Sequence, residues 1–387
     1  MPRPTPEEMV TRARDLIPVL AGEAAESERL RRPTDRAIEA LAEAQIFELM
    51  VPRVYGGLEF DLDTYVEVGL ALGEGDTSLA WIAMFYVEHN WLLCQFPEAF
   101  QTELYRDRSF VLAPGSISPV GELTPVEGGY RLSGRWSWAT GVSHSDWVMV
   151  GGLRPDSGMP PEFLLFALPQ EEVKVEDVWH IEGMRATGSN DIVVEDRFVP
   201  EERSVSMTAM IEGRSPGAKL HTGPLFRSPM MPILGLAAST GPVGQARACV
   251  DGYRERLPER MQYGPLGPQS ERAASQMRLG RADLEVRQAA LLVHETKREL
   301  MARRRNATLL ERARWAAQLA KAVHLSLGAV RTIVDGSGAT AHFDRDPLQR
   351  AARDLSTVSG HVMFDLDQRL ETLGRIELGL DPGFSLI

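Results

Sequence analysis

Three blocks of different periodicity succeed one another along this chain, and no other feature narrows its fold so far. Up to about residue 109 the apolar residues recur at helical spacing. From there to about 205 they fall into short strand-like runs, and beyond 206 long helical patterns return. Helices, then strands, then helices predict an α+β chain of segregated subdomains and exclude the alternating units of a parallel doubly wound sheet. With 387 residues, the chain is also longer than a single hydrophobic core sustains. We therefore expect a helical unit over 1–109, a β unit (barrel or sandwich) over 110–205 and a four-helix bundle over 206–387.

Local signals support the blocks. Thr5-Pro6-Glu7-Glu8 combines an N-cap, a first-turn proline and a capping-box glutamate. A second helix opens near Thr34, with Ile38, Leu41, Ala42 and Ile46 in near-helical register, and stops by Pro52 and Gly56-Gly57. A third opens at Asp76-Thr77-Ser78 and places Ile82, Tyr86, His89 and Leu93 on one face. The middle block holds GYRLSGRWSW, DWVMVGGL, EFLLFALP and DIVVEDRFVP, each a strand-length run bounded by turn residues. Helical patterns follow over 236–257, 270–303 and 307–334, with one last helix from about Pro347 to Leu373.

Several function classes are excluded. A net charge of -12 argues against nucleic acid or an anionic membrane as partner. Cys94 and Cys249 are far apart, and no His/Cys cluster or HExxH has metal-site spacing, so no metal is expected. The N-terminus lacks a signal-peptide pattern and no apolar run is long enough to span a bilayer, which predicts a cytoplasmic protein. GxGxxG, GxxxxGK[ST] and GxSxG are all missing, so NAD(P)H has no Rossmann unit here and a serine-hydrolase elbow has no support. Gly336-Ser337-Gly338 either approaches a phosphate or ends a helix, and Arg303-Arg304-Arg305 reads as a solvated helix end.

The segment GMRATGSNDIVVEDRFVPEE, residues 183–202, resembles the middle-domain signature of the acyl-CoA dehydrogenase superfamily. Gly134 to Gly141 (GRWSWATG) resembles its tryptophan-then-threonine flavin segment, and Arg260 with Gln262-Tyr263-Gly264 resembles its turn after an arginine. DGSGAT and PLQRAARD resemble the glycine turn and the RD motif before the active-site helix. Acyl-CoA dehydrogenases carry their glutamate base a short way beyond that RD. Here the stretch Asp354 to Val362 has no further carboxylate and holds His361. Without that base, α,β-dehydrogenation loses its first step. The stretch, together with TGVSHSDW, instead resembles the two-component flavin monooxygenases of the superfamily, which hydroxylate phenols.

That resemblance implies a catalytic set of His361, His89 and Ser116, with His361 beside the flavin and the other two at the substrate phenol. It places Thr140, Trp138, Gly141, Ser143, Arg260, Gly336 and Gly338 at the flavin. It also implies reduced FMN or FAD supplied by a separate NAD(P)H:flavin reductase, O2 activation through a flavin C4a-hydroperoxide, a small aromatic substrate and a homotetramer, in which Arg260 reaches a neighbour's flavin phosphate. A histidine with its ordinary pKa near 6.5 could serve as proton donor at neutral pH. The residues alone leave other readings open: His361 as an interface histidine on a helix, His89 as a core histidine, Ser116 as a turn hydroxyl, His144 as a turn stabiliser or a flavin contact, and the tryptophans, Trp81 among them, as core or interface filler or as walls of an aromatic pocket. A dehydrogenase or oxidase with a relocated base, and a catalytically silent flavin-fold binding module, are the competing functions.

Overall fold

The computed structural model describes residues 3–154, 162–261 and 267–383. Helices α1 (Pro6–Asp15), α2 (Ile17–Leu30), α3 (Asp35–Glu43), α4 (Leu62–Gly75), α5 (Thr77–Leu93) and α6 (Glu98–Leu104) come first. The Thr5 hydroxyl accepts from Glu8 N, and the Glu8 carboxylate accepts from Thr5 N, so the expected capping box is present.

Strands β1 (Gly115–Val126), β2 (Gly129–Ala139), β3 (Trp147–Arg154), β4 (Glu162–Pro169), β5 (Lys174–Glu176), β6 (Asn190–Pro200) and β7 (Ser204–Ser206) follow. They form a sheet in the order β5-β6-β2-β1-β3-β4-β7, antiparallel throughout except for the β1–β3 pair. Leu132, Trp136, Val148, Phe166 and Ile192 fill its core, and Trp136 Nε1 donates to the Gly151 carbonyl at 2.8 Å.

The rest is helical: α7 (Met207–Ile211), α8 (Pro216–Leu220), α9 (Met230–Arg256), α10 (Ala273–Arg303), α11 (Leu309–Ser337), α12 (Pro347–Ser359) and α13 (Leu366–Glu377). α9, α10 and α11 pack along one another, and α4 and α5 lie against α9. One apolar core therefore runs from the first helices into the last, including Leu72, Trp91, Leu236 and Leu319. The single last helix expected from Pro347 to Leu373 is instead two, α12 and α13, separated by a 3-10 turn over Val362–Phe364. His361 sits in that break and not on a helix, because Gly360 ends α12.

Candidate functional site

Helix α5 is apolar on every side, and all but one of its residues are buried. The Asp76 carboxylate fixes its start by accepting from Leu79 N at 3.0 Å. Along one face Trp81, Phe85 and His89 recur every four residues. The rings of Trp81 and Phe85 stack at 4.7 Å, and Phe85 meets His89 edge-on at 5.5 Å. His361 arrives from the far end of the chain and sets its ring edge-on to Trp81 at 5.6 Å. The two histidines singled out in the sequence thus stand at opposite ends of one aromatic wall. Helical rise makes the Trp81-to-His89 run about 12 Å long. The neighbouring face, with Ile82 and Tyr86, turns to Gly141 instead.

His89 is buried, and its Nδ1–H donates to the Ala113 carbonyl at 2.7 Å, which leaves the Nε2 lone pair as an acceptor. Burial lowers its pKa to about 4, although the bond to Ala113 opposes the shift. A Cβ on Gly115 would stand 3.4 Å from this imidazole, so the start of β1 passes directly beside it. Ser116 is the next residue. Its hydroxyl donates to the Ser137 carbonyl at 2.6 Å, leaving its oxygen as an acceptor and not as a free donor.

His361 shows the opposite tautomer. Its Nδ1 accepts from Met363 N at 3.3 Å, which puts the ring proton on Nε2. Burial, and then the Arg369 charge, lower its pKa to about 4. At neutral pH it is therefore an uncharged N–H donor, which corrects the expectation of a histidine titrating near its ordinary value. Arg369 holds the turn by donating to the carbonyls of Met363 and Val362, both at 3.2 Å. His324 Nε2 donates to the Phe364 carbonyl at 2.9 Å.

The RD motif proves to be a clamp. Arg353 Nη1 bonds the Glu28 carboxylate at 2.5 Å and the Glu182 carbonyl at 2.6 Å. Asp354 accepts from Met184 N at 2.5 Å and from the Ser78 hydroxyl at 3.2 Å. Gly183 is required here, since a Cβ would lie 2.2 Å from the Arg353 carbonyl oxygen. Burial, and then the nearby Asp76, raise the Asp354 pKa to about 7. Helix α12 is thereby fixed to α2, to α5 and to the loop before β6, and His361 follows from its end.

In the expected flavin segment, Thr140 Oγ1 lies 3.0 Å from Ser189 Oγ, and Thr187 continues this hydroxyl chain to the Met184 carbonyl. Gly141 takes a left-handed φ of 78°; its N–H donates to the Thr187 carbonyl at 2.8 Å, and its carbonyl accepts from the Tyr86 hydroxyl at 2.5 Å. Trp138 also has a left-handed φ, of 68°, and its side chain is 65% exposed. Ser143 donates to His144 Nδ1, and His144 Nε2 bonds Asp35 at 2.8 Å beside Arg32. This pair joins the turn to α3.

Arg260 and Gly338 come together: a Cβ on Gly338 would stand 2.7 Å from Arg260 Nη2. Gly336 is still helical at the end of α11, packed on the Tyr253 hydroxyl and Arg278, so the expected glycine turn begins only at Gly338. Gln262-Tyr263-Gly264 lies outside the described residues. Among the described residues, no group of three His, Cys, Asp or Glu side chains has metal-binding geometry.

Three residues of the candidate site escaped the sequence reading: Phe85, Glu88 and Arg369. The four-residue spacing of Trp81, Phe85 and His89 was visible. So was the position of Glu88 as the one carboxylate in α5. Nothing local marks Arg369, whose role depends on the turn it closes.

Comparison with known proteins accords with this geometry. The acyl-CoA dehydrogenase C-terminal domain family matches residues 236–366. A pigment production hydroxylase of Rhodococcus sp. is 33% identical, with 97% of each chain covered. The oxygenase subunit HsaA of a flavin-dependent monooxygenase from Rhodococcus jostii is 30% identical, covering 94% of this chain and 97% of its own length. The structure of XiaF from Streptomyces sp., in complex with FADH2 and glycerol, superposes with a TM-score of 0.91 at 29% identity, covering 99% of this chain and 98% of XiaF. An acyl-CoA dehydrogenase C-terminal domain, in a chain matched over nearly its whole length by a hydroxylase and by a monooxygenase oxygenase subunit, identifies the chain: it belongs to the flavin-dependent monooxygenases of the acyl-CoA dehydrogenase superfamily, as an oxygenase component.

Proposed function

We propose that this oxygenase hydroxylates a small phenolic ring held along the Trp81–Phe85 wall, taking reduced FMN or FAD from a separate NAD(P)H:flavin reductase. The carrying observation is the pair of neutral imidazoles of opposite tautomer at the two ends of that wall. His89 offers a lone pair that takes the proton of a substrate hydroxyl, making the ring more electron-rich. The Ser116 oxygen stands beside it as a second acceptor. At the other end, Nε2–H of His361 donates a hydrogen bond without bringing a charge into the site.

The residues present fit a flavin. Trp138 offers an uncovered indole, Thr140 a hydroxyl tied to Ser189, and Arg260 with the Gly338 backbone a basic cradle for phosphate. Bound reduced flavin supplies the electrons and the activation of O2. Relatives include a resorcinol hydroxylase component of Rhizobium sp. and a p-hydroxyphenylacetate 3-hydroxylase component of Acinetobacter baumannii, which supports a phenol. A dehydrogenase with a relocated base is disfavoured, since the next carboxylate, Asp365, is occupied in capping α13 through Gln368 N at 3.1 Å.

We also read the chain as three subdomains with the boundaries expected above, as a homotetramer and as cytoplasmic. Met277, Leu284 and Leu291, exposed seven residues apart along α10, support self-association. Among the described residues no helix is long and apolar enough to cross a membrane. The test is direct: protein given chemically reduced flavin, O2 and a set of phenols should yield a product one oxygen atom heavier. No oxygenated product, with flavin bleached anaerobically by an acyl-CoA, would overturn the reading.

A further inference from the structure

Glu88 is fully buried, and neither of its carboxyl oxygens makes a hydrogen bond. Such a group is costly as an anion and needs an explanation. Its Oε2 lies 3.4 Å from His89 Nε2, the nitrogen that the Ala113 bond leaves bare. The contact is not a hydrogen bond, so the Nε2 lone pair remains available to a ligand. Burial holds the Glu88 carboxyl well above the usual carboxylate range and the imidazole low, so the resting pair is uncharged on both sides. Tyr65 of α4 also feels Glu88; its hydroxyl donates to the Met84 carbonyl at 2.9 Å and is held protonated by burial.

We propose that Glu88 is a positioning residue that sets the proton affinity of His89, the two side chains forming one coupled proton-binding pair behind the substrate hydroxyl. This rests on His89 being the substrate's base. When the substrate O–H bond breaks, its electron pair stays on oxygen and a new N–H bond forms at Nε2. The imidazolium then stands in contact with Glu88. As pH rises, Glu88 gives its own proton to water, and the carboxylate left behind strengthens the hold of Nε2 on the substrate proton. An amide in the same place gives no such assistance.

The experiment follows the phenolate absorbance of resorcinol and of 4-hydroxyphenylacetate bound to the flavin-loaded protein across pH, in wild type, Glu88→Gln, Glu88→Asp and His89→Ala. Glu88→Gln should fold and bind flavin normally while phenolate appears about one pH unit higher and kcat falls about tenfold at little-changed KM. Glu88→Asp should lie between it and wild type, and carries the same readout if the glutamine variant does not fold. A Glu88→Gln profile identical to wild type, with phenolate lost in His89→Ala, overturns the proposal alone. If His89→Ala still ionises the phenol, or neither phenol binds the wild type, the reading of His89 itself fails and this proposal falls with it.

Discussion

At the scale of single residues, the two buried histidines of the candidate site carry no charge at working pH. A free imidazole titrates near 6.5, whereas burial lowers both His89 and His361 to about 4. A group with a depressed imidazole pKa stays neutral until the pH approaches that value. The acid limb of kcat/KM should therefore fall toward pH 4, well below the range of an exposed histidine, as initial rates with saturating reduced flavin will show. His361→Ala removes the Nε2–H donor but leaves the clamp at Asp354 and the Trp138–Thr140 segment untouched. We expect unchanged folding and flavin affinity with a marked fall in product formed per reduced flavin consumed. Equal coupling in mutant and wild type would remove His361 from the chemistry.

At the scale of elements, α5 acts as a ruler: helical rise fixes how far His89 stands from Trp81, and thus from His361. The identity of these histidines was legible in the sequence because each lies in or beside a recognisable pattern. Their tautomers were not, since each is set by a backbone group: the Ala113 carbonyl for one and the Met363 amide for the other. The break between α12 and α13 was also missed, because Val362, Met363 and Phe364 continue an apolar pattern while Arg369 pulls their carbonyls out of helical register. The same face-by-face logic governs Gly141, where φ is 78° and a Cβ would lie 2.5 Å from the Tyr86 hydroxyl. Gly141→Ala should cost about 2 kcal/mol from backbone strain and crowding, read from denaturant unfolding. Adding Tyr86→Phe should recover part of the loss.

At the scale of the whole molecule, the order of helical and strand blocks was legible from periodicity, but the way they are fastened was not. Nothing in PLQRAARD shows that its arginine and aspartate reach α2, α5 and the loop before β6. The fastening has its own pH signature. Because burial and Asp76 raise the Asp354 pKa to about 7, the folded state binds a proton that the unfolded chain releases near 4, so this carboxyl's contribution is full at low pH and is lost as pH rises through 7. Asp354→Asn should thus compare increasingly well with wild type in thermal unfolding between pH 5 and pH 8, taken as about the working range for soluble domains.

The clamp also bears on synthesis. Its bonds join residues 325, 276 and 170 positions apart, all closed by one helix near the end of the chain. On the ribosome, Glu28, Ser78 and Met184 emerge before α12, so none of these bonds can form until that helix has been made. The clamp therefore sets an order of assembly, in which α2, α5 and the loop before β6 wait for a helix made after all of them.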